Sequence, residues 1–141
     1  LYSAMRNEGA YKNNQKLSNL RSKIPLEETI LAFNHTWLCK NHLVDESVMQ
    51  QLAETVRGTR SYGSAALEFA YVAEGIIDGY LAKSLQPWDI AAGMVLVHEV
   101  GGITTTIGGT EINILEKSSI FTSNKYVHKA VNEKFLKIGR K

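Results

Sequence analysis

One stretch decides the fold of this chain, Pro87-Trp88-Asp89-Ile90-Ala91-Ala92-Gly93, which is followed by Met94 to Val100 and by Gly101-Gly102. Pro87 suits the beginning of a helix, because a residue there does not need its backbone N–H. Asp89 then lies beside the positive end of the helix dipole. The apolar run that follows has almost no polar break, which predicts a buried helix that packs on more than one side. The two glycines end the helix.

The carboxylate of Asp89 has two interpretations. It can cap the helix, because acidic residues are common in the first turn. It can also be a metal-binding or catalytic carboxylate that points into a cleft. An unpaired charge at the beginning of a buried helix is costly, so either interpretation requires a partner for it.

A second motif precedes the first, Arg60-Ser61-Tyr62-Gly63-Ser64-Ala65-Ala66, and it leads into a helix that ends at Gly75. Gly63 and Ser64 stand at the beginning of that helix. Small residues there expose backbone N–H groups, and the helix dipole favours an anion or a hydroxyl acceptor at this end. The alternative is a tight turn with a serine cap, and the motif alone does not separate the two.

Outside these motifs the sequence alternates between the periodicities of strands and helices. We predict a hairpin at residues 1–17, strands at 29–33, 76–82, 102–107 and 119–123, a helix opened by Asp45 and ended by Gly58, and a last helix from Lys125 to about Ile138. This alternation predicts an α/β layered domain with a mixed β-sheet flanked by helices.

Several polar residues of these elements are interpreted as structural. Lys12 and Lys16 of the hairpin are expected to be solvated. Asp78 is expected to bind neighbouring backbone N–H groups. His98 and Glu99 are adjacent on a helix and point in different directions, which favours packing and solvent roles over an acid–base pair.

Composition and charge limit the possible functions. The chain has 141 residues, enough for one domain, and a net charge of +2, which is too small to indicate nucleic-acid binding. The sequence has no signal peptide and no apolar run of membrane-spanning length. The one cysteine, Cys39, cannot form an internal disulfide, and this fits a reducing cytoplasm. The chain begins at Leu1 without Met, in a pattern typical of the middle of a strand, so we expect a fragment.

Both motifs resemble the C-terminal signature of the inositol monophosphatase family. The matching residues are Trp88-Asp89-Ile90-Ala91-Ala92-Gly93 with Glu99-Val100-Gly101-Gly102, and Arg60-Ser61-x-Gly63-Ser64-Ala65-Ala66 with Val72-Ala73-x-Gly75, in the family's order and spacing. The resemblance implies a layered α/β sandwich of two halves with the active site between them. Residues 1–17 would then be a β-hairpin from the end of the missing N-terminal half, and residues 18–141 would be the C-terminal α/β domain.

The resemblance also implies a reaction, the magnesium-dependent hydrolysis of a phosphate monoester. Asp89 would be a ligand of a catalytic Mg²⁺ close to the substrate, and Gly63, Ser64 and Ala65 would contact the alcohol part of the substrate. The family's other ligands, a glutamate and an Asp-Pro-x-Asp-Gly-Thr segment, belong to its N-terminal half, and this sequence contains neither. Because Mg²⁺ needs several hard oxygen ligands, the chain alone is expected to be nearly inactive, and we identify no catalytic residue in this half.

The substrate is less certain, because family members specific for inositol carry a glutamate seven residues before the metal-binding aspartate. This chain has Ala82 at that position, followed by Lys83. Losing the acceptor weakens the case for inositol, and Lys83 would favour a more anionic substrate if it faces the site. The alternative is a solvated surface lysine. The expected substrate is a small phosphorylated metabolite: inositol monophosphate, a sugar bisphosphate or a phosphorylated nucleotide.

Two other functions stay open at this point. One is a non-catalytic binding or regulatory domain that retains the fold. The other is a fragment without activity that forms a dimer through an uncovered apolar face. For the complete enzyme we expect a homodimer in the cytoplasm.

Overall fold

A computed structural model of the protein describes residues 1–34, 36–37, 40 and 44–136. The interpretation of His35 as a loop or packing residue lies outside the described residues, as do Cys39 and the predicted end of the last helix near Ile138. Within the described part of the chain, no helix is long and apolar enough to cross a membrane.

Within the described residues, eight strands and four α-helices follow one another. They are β1 (Tyr2–Met5), β2 (Gly9–Lys12), β3 (Gln15–Lys16), β4 (Ile30–Ala32), α1 (Glu46–Thr55), β5 (Gly58–Arg60), α2 (Ala65–Glu74), β6 (Gly79–Leu85), α3 (Pro87–Glu99), β7 (Gly102–Thr105), β8 (Ser118–Asn124) and α4 (Lys125–Val131). A 3₁₀ turn at Leu26–Glu28 precedes β4, and a π-helical turn at Asn132–Leu136 follows α4.

The strands form two sheets. β1, β2 and β3 form a three-stranded antiparallel sheet, and the other five form a sheet of order β5-β4-β6-β8-β7. In the larger sheet β4, β5 and β6 are parallel, whereas β8 runs antiparallel to both β6 and β7. The predicted α/β fold with a mixed sheet flanked by helices is confirmed.

The five-stranded sheet separates two hydrophobic cores. Successive strand residues such as Leu31 and Ala32 point to opposite faces, so each strand contributes to both cores. On one face Leu31, Leu81 and Phe121 pack with α1 and α4 residues, namely Met49, Leu52, Val127 and Val131. On the other face Ala32, Tyr80 and Ile120 pack with α2 and α3 residues, namely Phe69, Val72, Ile90 and Val97.

A glycine lets α2 and α3 approach each other closely. A Cβ atom built on Gly93 would lie 2.3 Å from Cγ of Phe69, a distance that real contacts do not reach. Only a residue without a side chain fits here. This contact fixes the spacing of the two helices that begin at the two sequence motifs.

The prediction that α3 packs on more than one side is confirmed in part, because the helix contacts α2, the strands β7 and β8, and the hairpin strands β1 and β2. Its buried residues are Ile90, Gly93, Leu96 and Val97, which form one helical stripe. Ala91 and Ala92 are exposed, and Trp88 is 78% exposed. The helix therefore has a second apolar stripe that the described residues leave uncovered.

Three predicted boundaries also need correction. The strand expected at 76–82 is Gly79–Leu85, because Gly75 takes φ 82° at the end of α2 and the next residues form bends. Gly58 begins β5 and does not end α1, which stops at Thr55. β7 ends at Thr105, because Thr106 bonds Thr110 across the following turn.

The hairpin of residues 1–17 is fastened to the ends of α2 and α3. Lys12 forms an ion pair with Glu74 at 3.0 Å, so the expectation that Lys12 is simply solvated is wrong. Glu99 accepts hydrogen bonds from the backbone N–H groups of Asn7 at 3.1 Å and Gly9 at 2.9 Å, and these bonds lower the pKa of its carboxyl. Its role is therefore to hold the hairpin turn.

Candidate active site

The carboxyl ends of β4, β5 and β6 meet at one edge of the sheet, since these strands are parallel. From β4 the chain continues through α1 to β5 on one side, and from β6 it continues through α3 toward β7 at the opposite edge. In open α/β sheets, ligands bind at this kind of switch point, outside the carboxyl ends of the strands.

A cleft of about 220 Å³ opens at this edge. Its walls come from the segment after β4, the segment that leads into α2, and the end of β6. The lining residues are Asn34, Trp37, Ser61, Gly63, Ala65, Glu68, Tyr80, Leu81, Ala82, Lys83, Ser84 and Leu85. Four residues singled out in the sequence, Gly63, Ala65, Ala82 and Lys83, therefore lie in one cleft.

The loop before α2 has the backbone geometry that its sequence requires. Gly63 takes φ 77°, which a residue with a side chain rarely adopts, and a Cβ there would meet no other atom within 4 Å. Ser64 caps α2, and its Oγ accepts a hydrogen bond from the backbone N–H of Leu67 at 3.3 Å. The serine-cap interpretation is thus correct for Ser64, while Gly63 and Ala65 line the cleft.

The sequence analysis missed a buried carboxylate, Glu68, in the wall of the cleft. Glu68 is only 4% exposed, and its Oε1 accepts a hydrogen bond from the backbone N–H of Tyr62 at 2.8 Å. This bond ties the loop before α2 to the first turn of the helix. Tyr80 lies close by, on β6. Burial, together with the negative charge of Glu68, raises the pKa of the Tyr80 phenol.

Asp89 approaches the same tyrosine from α3. Its Oδ2 accepts a hydrogen bond from the backbone N–H of Gln86 at 2.9 Å, so Asp89 does cap the helix as the first interpretation expects. Its charge also contributes to the raised pKa of Tyr80. Asp89 is half-buried and is not among the residues that line the cleft.

An irregularity in β6 shapes the third wall. Against β8, Ala82 pairs with Ile120 and Leu85 with Ser118, so β6 has one residue more than its partner over this interval. Such a bulge bends a strand and redirects its side chains. It occurs at Lys83 and Ser84, both of which line the cleft. The Nζ atom of Lys83 lies 5.9 Å from the ring centroid of Trp37.

Comparison with known proteins decides the family. The sequence profile of the inositol monophosphatase family matches residues 1–140, almost the entire chain. The chain belongs to the inositol monophosphatase family. It is 50% identical over 136 residues to inositol-1-monophosphatase of Bacillus subtilis strain 168, which covers 96% of this chain and 51% of that protein.

Solved structures of the family have the same fold. SaIMPase-II, a staphylococcal enzyme crystallised with inositol monophosphate, has a TM-score of 0.89 and 34% identity, over 96% of this chain and 52% of that one. An IMPase/NADP phosphatase complexed with Mg²⁺ and phosphate has a TM-score of 0.83 and 29% identity, over 94% and 48% of the two chains. This inositol monophosphatase family chain spans about half the length of the relatives it matches.

The described residues of this family member do not by themselves form a magnesium site. Within residues 1–34, 36–37, 40 and 44–136, no three His, Cys, Asp or Glu side chains cluster closely enough to hold a metal ion. Asp89 offers its second carboxylate oxygen, since Oδ2 already binds the N–H of Gln86. One such oxygen fills a single position of the six that Mg²⁺ requires.

Two residues of the cleft carried weak signals in the sequence. Glu68 is the one acidic residue in an otherwise apolar helix start, and this pattern indicates a buried, partnered carboxylate. Tyr80 follows Asp78-Gly79 in a piece that was interpreted as structural. Asp78 does have a structural role, but it binds the backbone N–H of Ile30, 48 positions away in sequence, at 2.8 Å and not a neighbouring N–H group. The position of Trp37 beside β6 had no local signal, because it depends on contacts between segments distant in sequence.

Proposed function

We propose that this chain is part of a magnesium-dependent phosphate monoesterase that hydrolyses inositol monophosphate or a related sugar or nucleotide phosphate. The observation that carries the proposal is the convergence at one sheet edge of the α2 start, the end of β6 and Asp89. A cleft at a switch point is where an α/β protein of this kind binds a small ligand.

In this proposal Gly63, Ser64 and Ala65 position the alcohol part of the substrate. Two of the three line the cleft, and they lie at the positive end of α2. Backbone N–H groups at a helix start are suited to donating hydrogen bonds to hydroxyl or anionic oxygens of a ligand. The positive φ of Gly63 brings the backbone, rather than a side chain, to the surface of the cleft.

The proposed role of Asp89 is that of one Mg²⁺ ligand among several. A bound Mg²⁺ neutralises phosphate oxygens and activates water, chemistry that the described residues do not supply alone. The remaining ligands must come from residues outside those that line this cleft. For that reason the isolated chain is proposed to be nearly inactive.

The boundaries of the two parts stay a proposal as well. We propose that residues 1–17 belong with the other half of the enzyme and that residues 18–141 form the C-terminal α/β domain. The separate three-stranded sheet of the hairpin supports this division. A homodimer in the cytoplasm is proposed for the complete enzyme on the basis of the family resemblance.

Phosphate release tests the proposal. Inositol 1-phosphate, fructose 1,6-bisphosphate, 3′-phosphoadenosine 5′-phosphate and NADP would be supplied with Mg²⁺ to this chain and to the product of the full gene that encodes it. We expect turnover by the full product and almost none by the 141-residue chain. If the full product is folded and releases no phosphate from any of the four, the phosphatase proposal is wrong and a binding or regulatory role replaces it.

A further inference from the structure

Two lysines lie near the ring of one tryptophan, Trp37, which lines the cleft together with Lys83. The Nζ atoms of Lys40 and Lys83 lie 5.3 Å and 5.9 Å from the ring centroid of Trp37. Both distances are within the range of a cation–π contact. We name these three residues the cationic rim. Trp37 is 52% exposed, so the rim is open to solvent and accessible to a ligand.

The rim is held in place by the backbone on both sides. The side-chain oxygen of Asn34, another lining residue, accepts a hydrogen bond from the backbone N–H of Trp37 at 3.0 Å. On the other side, the β6 bulge between Ala82 and Leu85 carries Lys83 to the ring. A solvated surface lysine would need neither the bulge nor an aromatic partner.

No carboxylate of the described residues neutralises the positive charge of the rim. Among the residues that the structure describes, the ammonium groups of Lys40 and Lys83 form no ion pair with a carboxylate. Glu68, the carboxylate in the lining of the cleft, is buried and committed to the backbone of Tyr62. Two like charges beside one ring repel each other, and an anion bound between them would remove that repulsion.

We propose that the cationic rim binds a second anionic group of the substrate, so that the preferred substrates carry a phosphate in addition to the one that is hydrolysed. This inference rests on the proposed phosphatase function. The two ends of the substrate would then contact different groups of the protein. The scissile phosphate lies toward Asp89, and the second phosphate is held by Trp37, Lys40 and Lys83. Ala82, which leaves room where a longer acidic side chain would repel a phosphate, fits the same assignment.

The test compares two substrates that differ only in the second phosphate, fructose 1-phosphate and fructose 1,6-bisphosphate. In the full gene product, Lys83→Gln should lower kcat/KM for the bisphosphate about tenfold, as expected for one lost charge-assisted contact. The value for the monophosphate should stay within about twofold. Lys83→Arg should retain most of the preference, and Lys129→Gln, an exposed lysine on α4, serves as the matched control.

A binding measurement separates this inference from the proposed function. In the full gene product, tryptophan emission can be followed in EDTA, where a magnesium-dependent enzyme does not turn over, and a Trp37→Phe variant identifies the part of the emission that comes from Trp37. Fructose 1,6-bisphosphate should change that emission at concentrations where fructose 1-phosphate does not, and Lys83→Gln should abolish the difference. If this binding is found but the full gene product does not turn over substrate in Mg²⁺, the rim proposal is supported and the phosphatase proposal is wrong. If turnover occurs and Lys83→Gln affects both substrates equally, the rim proposal is wrong.

Discussion

Glu68 and Asp89 occupy comparable places in two neighbouring helices, and the structure gives them different roles. Each lies in the first turns of a helix that begins at the carboxyl edge of the sheet, and each contributes to the raised pKa of Tyr80. Glu68 is 4% exposed and binds the backbone of the preceding loop, whereas Asp89 is half-buried and caps its own helix with one oxygen.

The difference shows that position at a helix start does not by itself make a carboxylate functional. What decides is whether the fold buries the carboxylate and excludes solvent from it. Glu68 is committed to contacts within the folded protein, so we assign it a role in stability. Asp89 keeps an oxygen available, so we assign it to the proposed metal site. The predictions below test that division.

The largest loss of stability is expected from a substitution that displaces α2 and α3 together. Gly93→Ala places a Cβ within 2.3 Å of Phe69 Cγ, so α2 and α3 must separate and both carboxylates shift. We expect a loss of about 3 kcal/mol in the free energy of unfolding, measured by urea titration.

Gly108→Ala is the matched control for that substitution. A Cβ on Gly108 would lie 3.7 Å from Thr106 Oγ1, an ordinary contact, so a change below about 0.5 kcal/mol is expected. Equal losses from both substitutions would contradict the close approach of α2 and α3.

Removing the buried carboxylate should cost less, but it should still affect the fold. Glu68→Ala leaves the backbone N–H of Tyr62 without its partner and opens a small void, and we expect a loss of about 2 kcal/mol. Glu54→Ala removes an exposed glutamate from α1 and should cost under about 0.5 kcal/mol. A Glu68→Ala protein as stable as the wild type would show that Glu68 is not structural.

A half-buried histidine on the opposite face of the sheet extends the comparison to pH. His128 stacks on Phe121, and its Nδ1 and Nε2 bond Asn132 and Thr105. Burial lowers the pKa of His128 to about 4, below its ordinary value near 6.5. The unfolded chain therefore takes up a proton between about pH 6.5 and pH 4 that the folded protein does not, so stability falls as the pH drops through this window.

The size of this effect is expected to be about 1 kcal/mol between pH 7 and pH 5, after allowance for partial solvent screening. Urea titrations of the wild type and of His128→Gln at both pH values would measure it as the difference between the two proteins. His98→Gln, at an exposed histidine, should leave the pH dependence unchanged. If His128→Gln also leaves it unchanged, the imidazole is not kept neutral by the fold.

Local chemistry made much of the fold predictable. Asp45 and Ser64 cap the helices that the sequence assigned to them, and Asn124 caps α4, because a cap depends on residues two or three positions away. Asn13 and Asn14 take the positive φ angles expected of a turn. The mixed sheet also follows from the alternation of periodicities.

The predictions that failed concern features that depend on contacts between segments distant in sequence. Lys12 pairs with Glu74 across 62 positions of sequence, which no local pattern indicates. The bulge that brings Lys83 to the cleft is a property of the pairing between β6 and β8. The exposed stripe of α3 was missed because an apolar run indicates that a helix can be buried and does not indicate what covers it. In the site, the two motifs were recognised, whereas Glu68 and Trp37 needed the tertiary structure.

The most direct test of the central claim is phosphate release by the full gene product with Mg²⁺ and its preferred substrate, comparing wild type, Asp89→Asn and Glu68→Gln. Asn keeps the cap acceptor and Gln keeps an acceptor for the Tyr62 N–H, so both variants should fold. The account predicts that Asp89→Asn lowers kcat by about 100-fold or more while its melting temperature changes little, and that Glu68→Gln keeps kcat within about fivefold. Full activity of Asp89→Asn, together with loss of activity in Glu68→Gln at unchanged stability, would contradict it.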